Sequence, residues 1–206
     1  MFVLMDIEWV TNKQYQFAPT QIAAMRVENS WLEQDVFFER VRPKDTAFHL
    51  WDEVAYSGGE PSDFLYARGI YQVLLELQDW LQEDDVLCFW TKDSISILKS
   101  IYMLVLRKRV PQKTIDLSEY IFPYLKERNR KCGNAYQLAF ACGVSALGPK
   151  HHSEQDVRAM SIALAGIRYP AQLLLQAPPK PAVKAPAEKP KATPSPDHSF
   201  PVLSWR

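Results

Sequence analysis

Two acidic residues close the first apolar run of the chain, which reads Met-Phe-Val-Leu-Met-Asp-Ile-Glu-Trp. Asp6 and Glu8 are two positions apart, so on a β-strand their side chains leave the same face. Two carboxylates about 5–7 Å apart repel each other by about 2–3 kcal/mol at an effective dielectric of about 20. A divalent cation, a proton on one carboxylate or screening by water would each relieve this repulsion. The pair therefore predicts either a metal site or a strand end that turns into solvent.

Three further residues carry side chains suited to acid, base or metal chemistry. Asp93 follows the apolar segment 86–90 and opens a helical pattern, at the strand end where open α/β sheets bind ligands. Asp156 follows Ser153 as in a capping box, and His151 comes five positions before Asp156. Each residue singly also suits a plain structural role, because acids favour helix N-termini and a histidine fits a loop.

Together the five residues resemble, in order and spacing, the three motifs of the DEDDh exonucleases. These motifs are Asp-x-Glu on the first strand, an Asp after a central strand, and His-x-x-x-x-Asp at the last helix. The resemblance covers residues 1–167. Leu-Met-Asp-Ile-Glu-Trp at 4–9 and Phe-Trp-Thr-Lys-Asp at 89–93 are similar to the bacterial branch with an Asp-Leu-Glu-Trp first motif. Asp116-Leu117 also resembles the Asp-Leu pair that follows the next strand in the family.

The third motif departs from the family pattern. The family usually has His-Arg-Ala-Leu-x-Asp-Ala, and this chain has His-His-Ser-Glu-Gln-Asp-Val at 151–157. Thr91 replaces the Gly of the second motif, and Trp9 stands where most of the wider superfamily has Thr. The acidic and histidine positions themselves are all present.

The resemblance implies an α/β fold of RNase H-like type: a mixed five-stranded sheet with its first three strands antiparallel, flanked by helices. It implies a metal-dependent 3′-5′ exonuclease that hydrolyses terminal phosphodiesters of single-stranded DNA or RNA to nucleoside 5′-monophosphates. By the same resemblance, two Mg²⁺ or Mn²⁺ ions would be bound. Asp6 would bridge both ions, Glu8 and Asp156 would hold the ion that carries the attacking water, and Asp93 would support the other. His151 would be the general base.

Other readings of these residues stay open. Four residues, namely Trp9, Tyr56, Trp90 and Lys92, are candidates for stacking on terminal bases or contacting phosphate, and the aromatic ones suit the core equally. A zinc site of Cys132, Cys142, His151 and His152 lacks the close ligand pairs of structural zinc. The altered third motif motivates an alternative function, a catalytically weak nucleic-acid or partner-binding module with the exonuclease fold.

Apolar periodicity predicts the elements that must position these residues. Strand-like runs at 2–7, 21–27 and 36–41 suggest an antiparallel meander. Helical spacing predicts one long helix over 62–81, a second over 95–106 and a last one from Ser153. Short strands are expected at 86–90 and 114–117. Three strands followed by alternating helices and strands indicate an α/β mixed sheet.

Composition divides the chain into two parts. Of its 206 residues, 15 are proline, and eight of these fall after residue 176. We therefore expect an exonuclease domain over 1–176 and a disordered Pro/Lys/Ala-rich tail over 177–206. The tail ends in Ser-Phe-Pro-Val-Leu-Ser-Trp-Arg, an apolar cluster that suggests a docking peptide for a protein partner. A tail end that folds back onto the domain and a tail without a partner are, taken together, an equal alternative.

The remaining composition excludes several classes of protein. The 24 basic and 24 acidic residues balance, so a strongly basic nucleic-acid surface is not expected. The longest mostly apolar stretch, 95–106, is too short to span a bilayer. Three cysteines and an N-terminus without a signal-peptide pattern predict a cytoplasmic location and no membrane association.

Overall fold

The computed structural model describes residues 1–11, 17–43, 59–144 and 151–178. Three long strands begin the chain: β1 Phe2–Thr11, β2 Phe17–Val27 and β3 Glu33–Arg42. Both neighbouring pairs are antiparallel, which confirms the predicted meander. Val3, Leu4, Met5 and Ile7 on β1 have no exposed surface. Such continuous burial is typical of a strand covered on both faces.

Three shorter strands complete the sheet in the described part of the chain. They are β4 Arg68–Gly69, β5 Val86–Phe89 and β6 Lys113–Asp116. The strand order is β4-β3-β2-β1-β5-β6. β5 runs parallel to β1, β6 parallel to β5, and β4 parallel to β3. The mixed α/β sheet expected from the sequence is confirmed, and β4 adds a two-residue edge to the five strands expected.

Helices cover both faces of the sheet. They are α1 Pro61–Leu65, α2 Ile70–Trp80, α3 Lys92–Ile101, α4 Ser118–Glu127, α5 Ala135–Ala141 and α6 Ser153–Gly166. A π-helical turn Tyr102–Leu106 continues α3, and a 3-10 turn Ala171–Leu175 follows α6. Val3, Met5 and Ile7 join a core with α2 and α3, whereas Phe2 and Leu4 join a core with α4, α5 and α6. Alternation along β1 therefore assigns its even-numbered side chains to the α6 face.

The single helix predicted over 62–81 is wrong. α1 ends at Leu65, and Arg68 and Gly69 pair instead with Val41 and Arg42 of β3. Gly69 has extended backbone angles, φ −70° and ψ 151°, immediately before α2 begins. Arg68 forms ion pairs with Glu39 on β3 and Glu76 on α2. These contacts hold residues 68 and 69 at the sheet edge, and the helix predicted from the apolar spacing is interrupted there.

Two sequence predictions extend past the described residues. The tail lies outside them from residue 179 onward, as does Tyr56, so the domain boundary at 176 and the docking peptide stay predictions. Within the described ranges, no helix is both long and apolar enough to cross a membrane.

Candidate active site

Three carboxylates meet where β1 passes beneath the start of α6. Asp6 and Glu8 leave β1 on the face that carries α6, and Asp156 lies in the first turn of α6. One carboxylate oxygen from each residue lies within 4.8 Å of the others, and all three side chains are partly buried. The register of β1 against β2 shifts between Glu8 and Trp9, a bulge at the very end of the acidic pair. The sequence analysis proposed these three acids as ligands of one metal site, and the fold places them close together.

The electrostatics of this acidic cluster oppose full ionisation. Burial raises the pKa of Asp6 most, and the nearby Asp156 charge raises it further. Burial likewise raises the pKa of Glu8, helped by the charges of Asp6 and Asp156. Burial also raises the pKa of Asp156, while hydrogen bonds with Tyr136 and Glu8 act in the opposite direction. At neutral pH, a cation or shared protons must therefore offset the repulsion.

Tyr136 completes the cluster from the side of α5, and sequence analysis missed it. Its side chain is 8% exposed, and its hydroxyl is hydrogen-bonded to Asp156. Burial raises the pKa of Tyr136, so the phenol stays protonated and acts as the donor. Asn134 caps α5 by accepting a hydrogen bond from the main-chain nitrogen of Gln137 at 2.9 Å. A tyrosine within an apolar helical pattern carries no signal that separates this role from packing.

The two histidines before α6 face different ways. His151 is 65% exposed, and its Nδ1 lies 3.9 Å from Oε1 of Glu8. The His152 ring stacks on Phe38 of β3, with ring centroids 5.0 Å apart, and burial lowers the pKa of His152. His151 also has φ 62°, in the left-handed region that non-glycine residues rarely adopt. Of the two histidines, His151 is therefore the one whose imidazole lies beside the acidic cluster.

Gln21 holds the turn that carries the histidines, and it too was missed. It is fully buried on β2, directly opposite Glu8. Its Nε2 donates to the carbonyl of His151 at 3.5 Å, and its Oε1 accepts from the main-chain nitrogen of Ser153 at 3.2 Å. A single amide therefore fixes both peptide groups that flank His152.

The capping box proposed for Ser153 and Asp156 is wrong in the structure. His152 is the N-cap residue of α6, and Ser153 is its first helical residue. The Ser153 hydroxyl is buried and makes no hydrogen bond to the described residues. Because Gln21 satisfies the Ser153 nitrogen, the Asp156 side chain is left to join Asp6 and Glu8.

The other candidate residues lie apart from the acidic cluster. Asp93 and Lys92 are exposed in the first turn of α3, and Asp93 is not among the acids grouped within 4.8 Å. β5 ends beside Met5, one residue before Asp6, so Asp93 follows the neighbouring strand end. Trp90 is 7% exposed in the α6-side core, and Trp9 packs on the opposite core. The roles proposed for these four residues stay predictions.

The donor set suits a hard divalent cation. All three converging groups are carboxylates, and oxygen-only ligands favour Mg²⁺ or Mn²⁺ over zinc or copper. Among the described residues, no second group of His, Cys, Asp and Glu has metal-ligand spacing. The zinc alternative gains no support, because Cys132, Cys142, His151 and His152 are not grouped at metal-ligand spacing.

No family model and no curated protein matches the chain. Solved structures do match. Cell-death related nuclease 4 has a TM-score of 0.70 at 13% identity, over 81% of this chain and 63% of that one. The nuclease domain of 3′hExo, a DEDDh family member bound to rAMP, has a TM-score of 0.64 at 17% identity, over 81% and 91%. E. coli Exonuclease I with a dT13 oligonucleotide has a TM-score of 0.64 at 15% identity, over 84% and 42%. At these identities, the likeness establishes the exonuclease fold.

The raised pKa values predict how stability depends on pH when no metal is bound. Between about pH 4, the ordinary carboxyl range, and the raised values, the folded protein holds protons that the unfolded chain has released. The free energy of unfolding should therefore fall as pH rises through this window. Asp6→Asn should flatten the fall, and Mg²⁺ should restore stability at neutral pH to the wild type. Urea denaturation in EDTA at a series of pH values measures this.

The control for this experiment is Asp79→Asn, which removes an exposed acid on α2. It should leave both the pH profile and the metal response unchanged. If Asp6→Asn keeps the full wild-type rise in melting temperature with Mg²⁺ or Mn²⁺, the cluster is not the metal site.

Tyr136→Phe tests whether the hydrogen bond from Tyr136 to Asp156 supports metal binding. The ring stays packed while the hydroxyl that orients Asp156 is lost, so metal affinity should weaken by about 10–100-fold with little change in the fold. Tyr102→Phe is the matched control, because its buried hydroxyl makes no hydrogen bond to the described residues and it lies in the opposite core. Metal-dependent melting curves report both variants. Equal metal responses in the two would remove Tyr136 from the site.

Proposed function

We propose that this protein is a metal-dependent 3′-5′ exonuclease that hydrolyses terminal phosphodiesters of single-stranded DNA or RNA. The products would be nucleoside 5′-monophosphates. The observation that carries this proposal is the convergence of Asp6, Glu8 and Asp156, with His151 beside them. The rAMP and dT13 ligands of the similar exonucleases support single-stranded nucleic acid as the substrate class.

Each residue has a distinct role in this proposal. Asp6, Glu8 and Asp156 would hold two Mg²⁺ or Mn²⁺ ions, with Asp93 contributing from the neighbouring strand end. Bound divalent ions supply charge stabilisation at the phosphate and a lower pKa for the attacking water. Tyr136 keeps the Asp156 carboxylate oriented through its hydrogen bond.

His151 supplies the proton transfer. Its exposed imidazole accepts a proton as the water oxygen forms a bond to the terminal phosphorus, and the bond from phosphorus to the 3′ oxygen breaks. The 3′ oxygen leaves with a proton from solvent, so the shortened strand ends in a 3′ hydroxyl. Gln21 holds the peptide of His151 while this occurs.

Two observations favour the alternative of a binding module with weak catalysis. Asp93 lies outside the group of acids that converge, and the third motif has Glu154 in place of the customary Leu. Glu154 is paired with Arg158 one turn later, at 3.1 Å. The test is Mn²⁺-dependent release of mononucleotides from a short labelled single strand. Release that disappears in Asp6→Asn supports the exonuclease, and binding without release supports the module.

His151→Ala should lower single-turnover cleavage by about 10²–10⁴-fold at saturating Mg²⁺, because the general base is lost. Metal affinity should be almost unchanged, since the imidazole is not among the converging ligands. His152→Ala is the matched control and should retain most of the activity, although it loses the stacking on Phe38. Loss in His152→Ala with full activity in His151→Ala would refute the assignment.

A further inference from the structure

A second surface on the α6 face of the sheet lies close to the acidic cluster. Glu8 pairs with Gln21 on β2, and Gln21 pairs with Arg40 on β3. In the next row, Asp6 pairs with Ala23, and Ala23 pairs with Phe38. Arg40 and Phe38 are therefore about 10 Å across the sheet from the acids, which is two strand spacings.

The turn that carries His151 and His152 connects the acidic cluster to Phe38 and Arg40 on β3. His151 faces Glu8, and His152 stacks on Phe38. The Arg40 guanidinium also lies over the Phe38 ring, 5.7 Å from its centre. The contacts of Glu8 with His151, of His152 with Phe38 and of Phe38 with Arg40 thus form one continuous strip of side chains.

A cavity of about 310 Å³ lies at the outer end of the strip. Phe38, Arg40, Asp63, Tyr66 and Arg68 are among its lining residues. The Tyr66 side chain is 91% exposed, the most exposed large hydrophobic side chain in the described residues. An aromatic ring left this open beside an arginine is the arrangement that binds single-stranded nucleic acid without sequence preference.

Arg40 is only partly neutralised. Its ion pair with Asp63 spans 3.5 Å, and both side chains are about one-third exposed, so the pair is weak. Its Nε is buried and makes no hydrogen bond to the described residues. Arg68 differs, because Glu39 and Glu76 both pair with it. Arg40 is therefore the cation of this cavity that a phosphate would meet at least cost.

We infer that this cavity binds a further nucleotide of the single strand whose 3′ end lies at the acidic cluster. Arg40 contacts its phosphate, and Tyr66 stacks on its base. The inference rests on the proposed function and deepens it, since it makes the enzyme prefer strands longer than a dinucleotide. Asp63 competes with the phosphate for Arg40 and so limits affinity.

The test measures binding of a fluorescein-labelled single strand of about twelve nucleotides, as DNA and as RNA. A terminal phosphorothioate slows cleavage, so Mg²⁺ can be present during anisotropy titrations. Arg40→Gln and Tyr66→Ala should each raise Kd by about tenfold, the effect of one stacked base or phosphate contact. Arg40→Gln should also lower the slope of log K against log salt by about one.

Three variants sharpen the result. Tyr66→Phe keeps the ring and should bind like the wild type. Asp63→Asn frees Arg40 and should bind more tightly. Arg128→Gln removes an exposed arginine at the end of α4 that does not line this cavity, and it should change Kd far less than Arg40→Gln. Because Tyr66 is almost fully exposed, Tyr66→Ala should leave the fold intact, which melting curves check.

Cleavage of a labelled dinucleotide separates this inference from the proposed function. A dinucleotide does not reach the cavity, so its cleavage should be unchanged in Arg40→Gln and Tyr66→Ala. Unchanged binding of the long strand in both variants would overturn the inference, and so would equal losses on the dinucleotide. A wild-type protein that binds the long strand but cleaves neither substrate would refute the exonuclease and leave the cavity test valid.

Discussion

Repulsion among three carboxylates is the constraint around which the α6 side of this molecule is organised. Asp6 and Glu8 are fixed by the alternation of β1, so Asp156 can join them only if α6 begins directly above that strand. Such a cluster costs stability unless protons or cations occupy it. Two neighbouring features act at the cluster: the bulge after Glu8 shifts the register of β1 against β2, and Tyr136 supplies a neutral donor to one acid.

The start of α6 shows how a helix can be capped without using its own acid. A first-turn Asp is normally available to the free N–H groups of its helix. Here the side chain of Gln21, from a strand 132 positions earlier, accepts from Ser153 instead. The long-range bond serves two needs, because it anchors the helix to the sheet and releases Asp156 for the cluster. Removing Gln21 would therefore affect the geometry of the site as well as the stability of the helix.

The sequence was informative where local chemistry decides the outcome. Alternation in β1 predicted that Asp6 and Glu8 share a face. The resemblance to the exonuclease motifs added Asp156 and His151, which the fold brings close, and Asp93, which lies outside the converging group. Sequence analysis failed where distant contacts decide. The helical spacing across 62–81 gave no sign that β3 would capture Arg68 and Gly69, and the roles of Gln21 and Tyr136 depend on partners more than 15 residues away. In the sequence, a strand glutamine or a helix tyrosine that only packs in the core cannot be distinguished from one that orients a site residue.

The left-handed backbone at His151 sets stability and chemistry against each other at one residue. A side chain other than Gly, Asn or Asp loses about 1–2 kcal/mol in this conformation, and the rest of the turn must hold it there. Engineering that seeks a higher melting temperature would choose glycine at this position, on backbone grounds alone. The resulting protein would be more stable but would lack the imidazole, so thermal screening by itself would select against the proposed proton transfer.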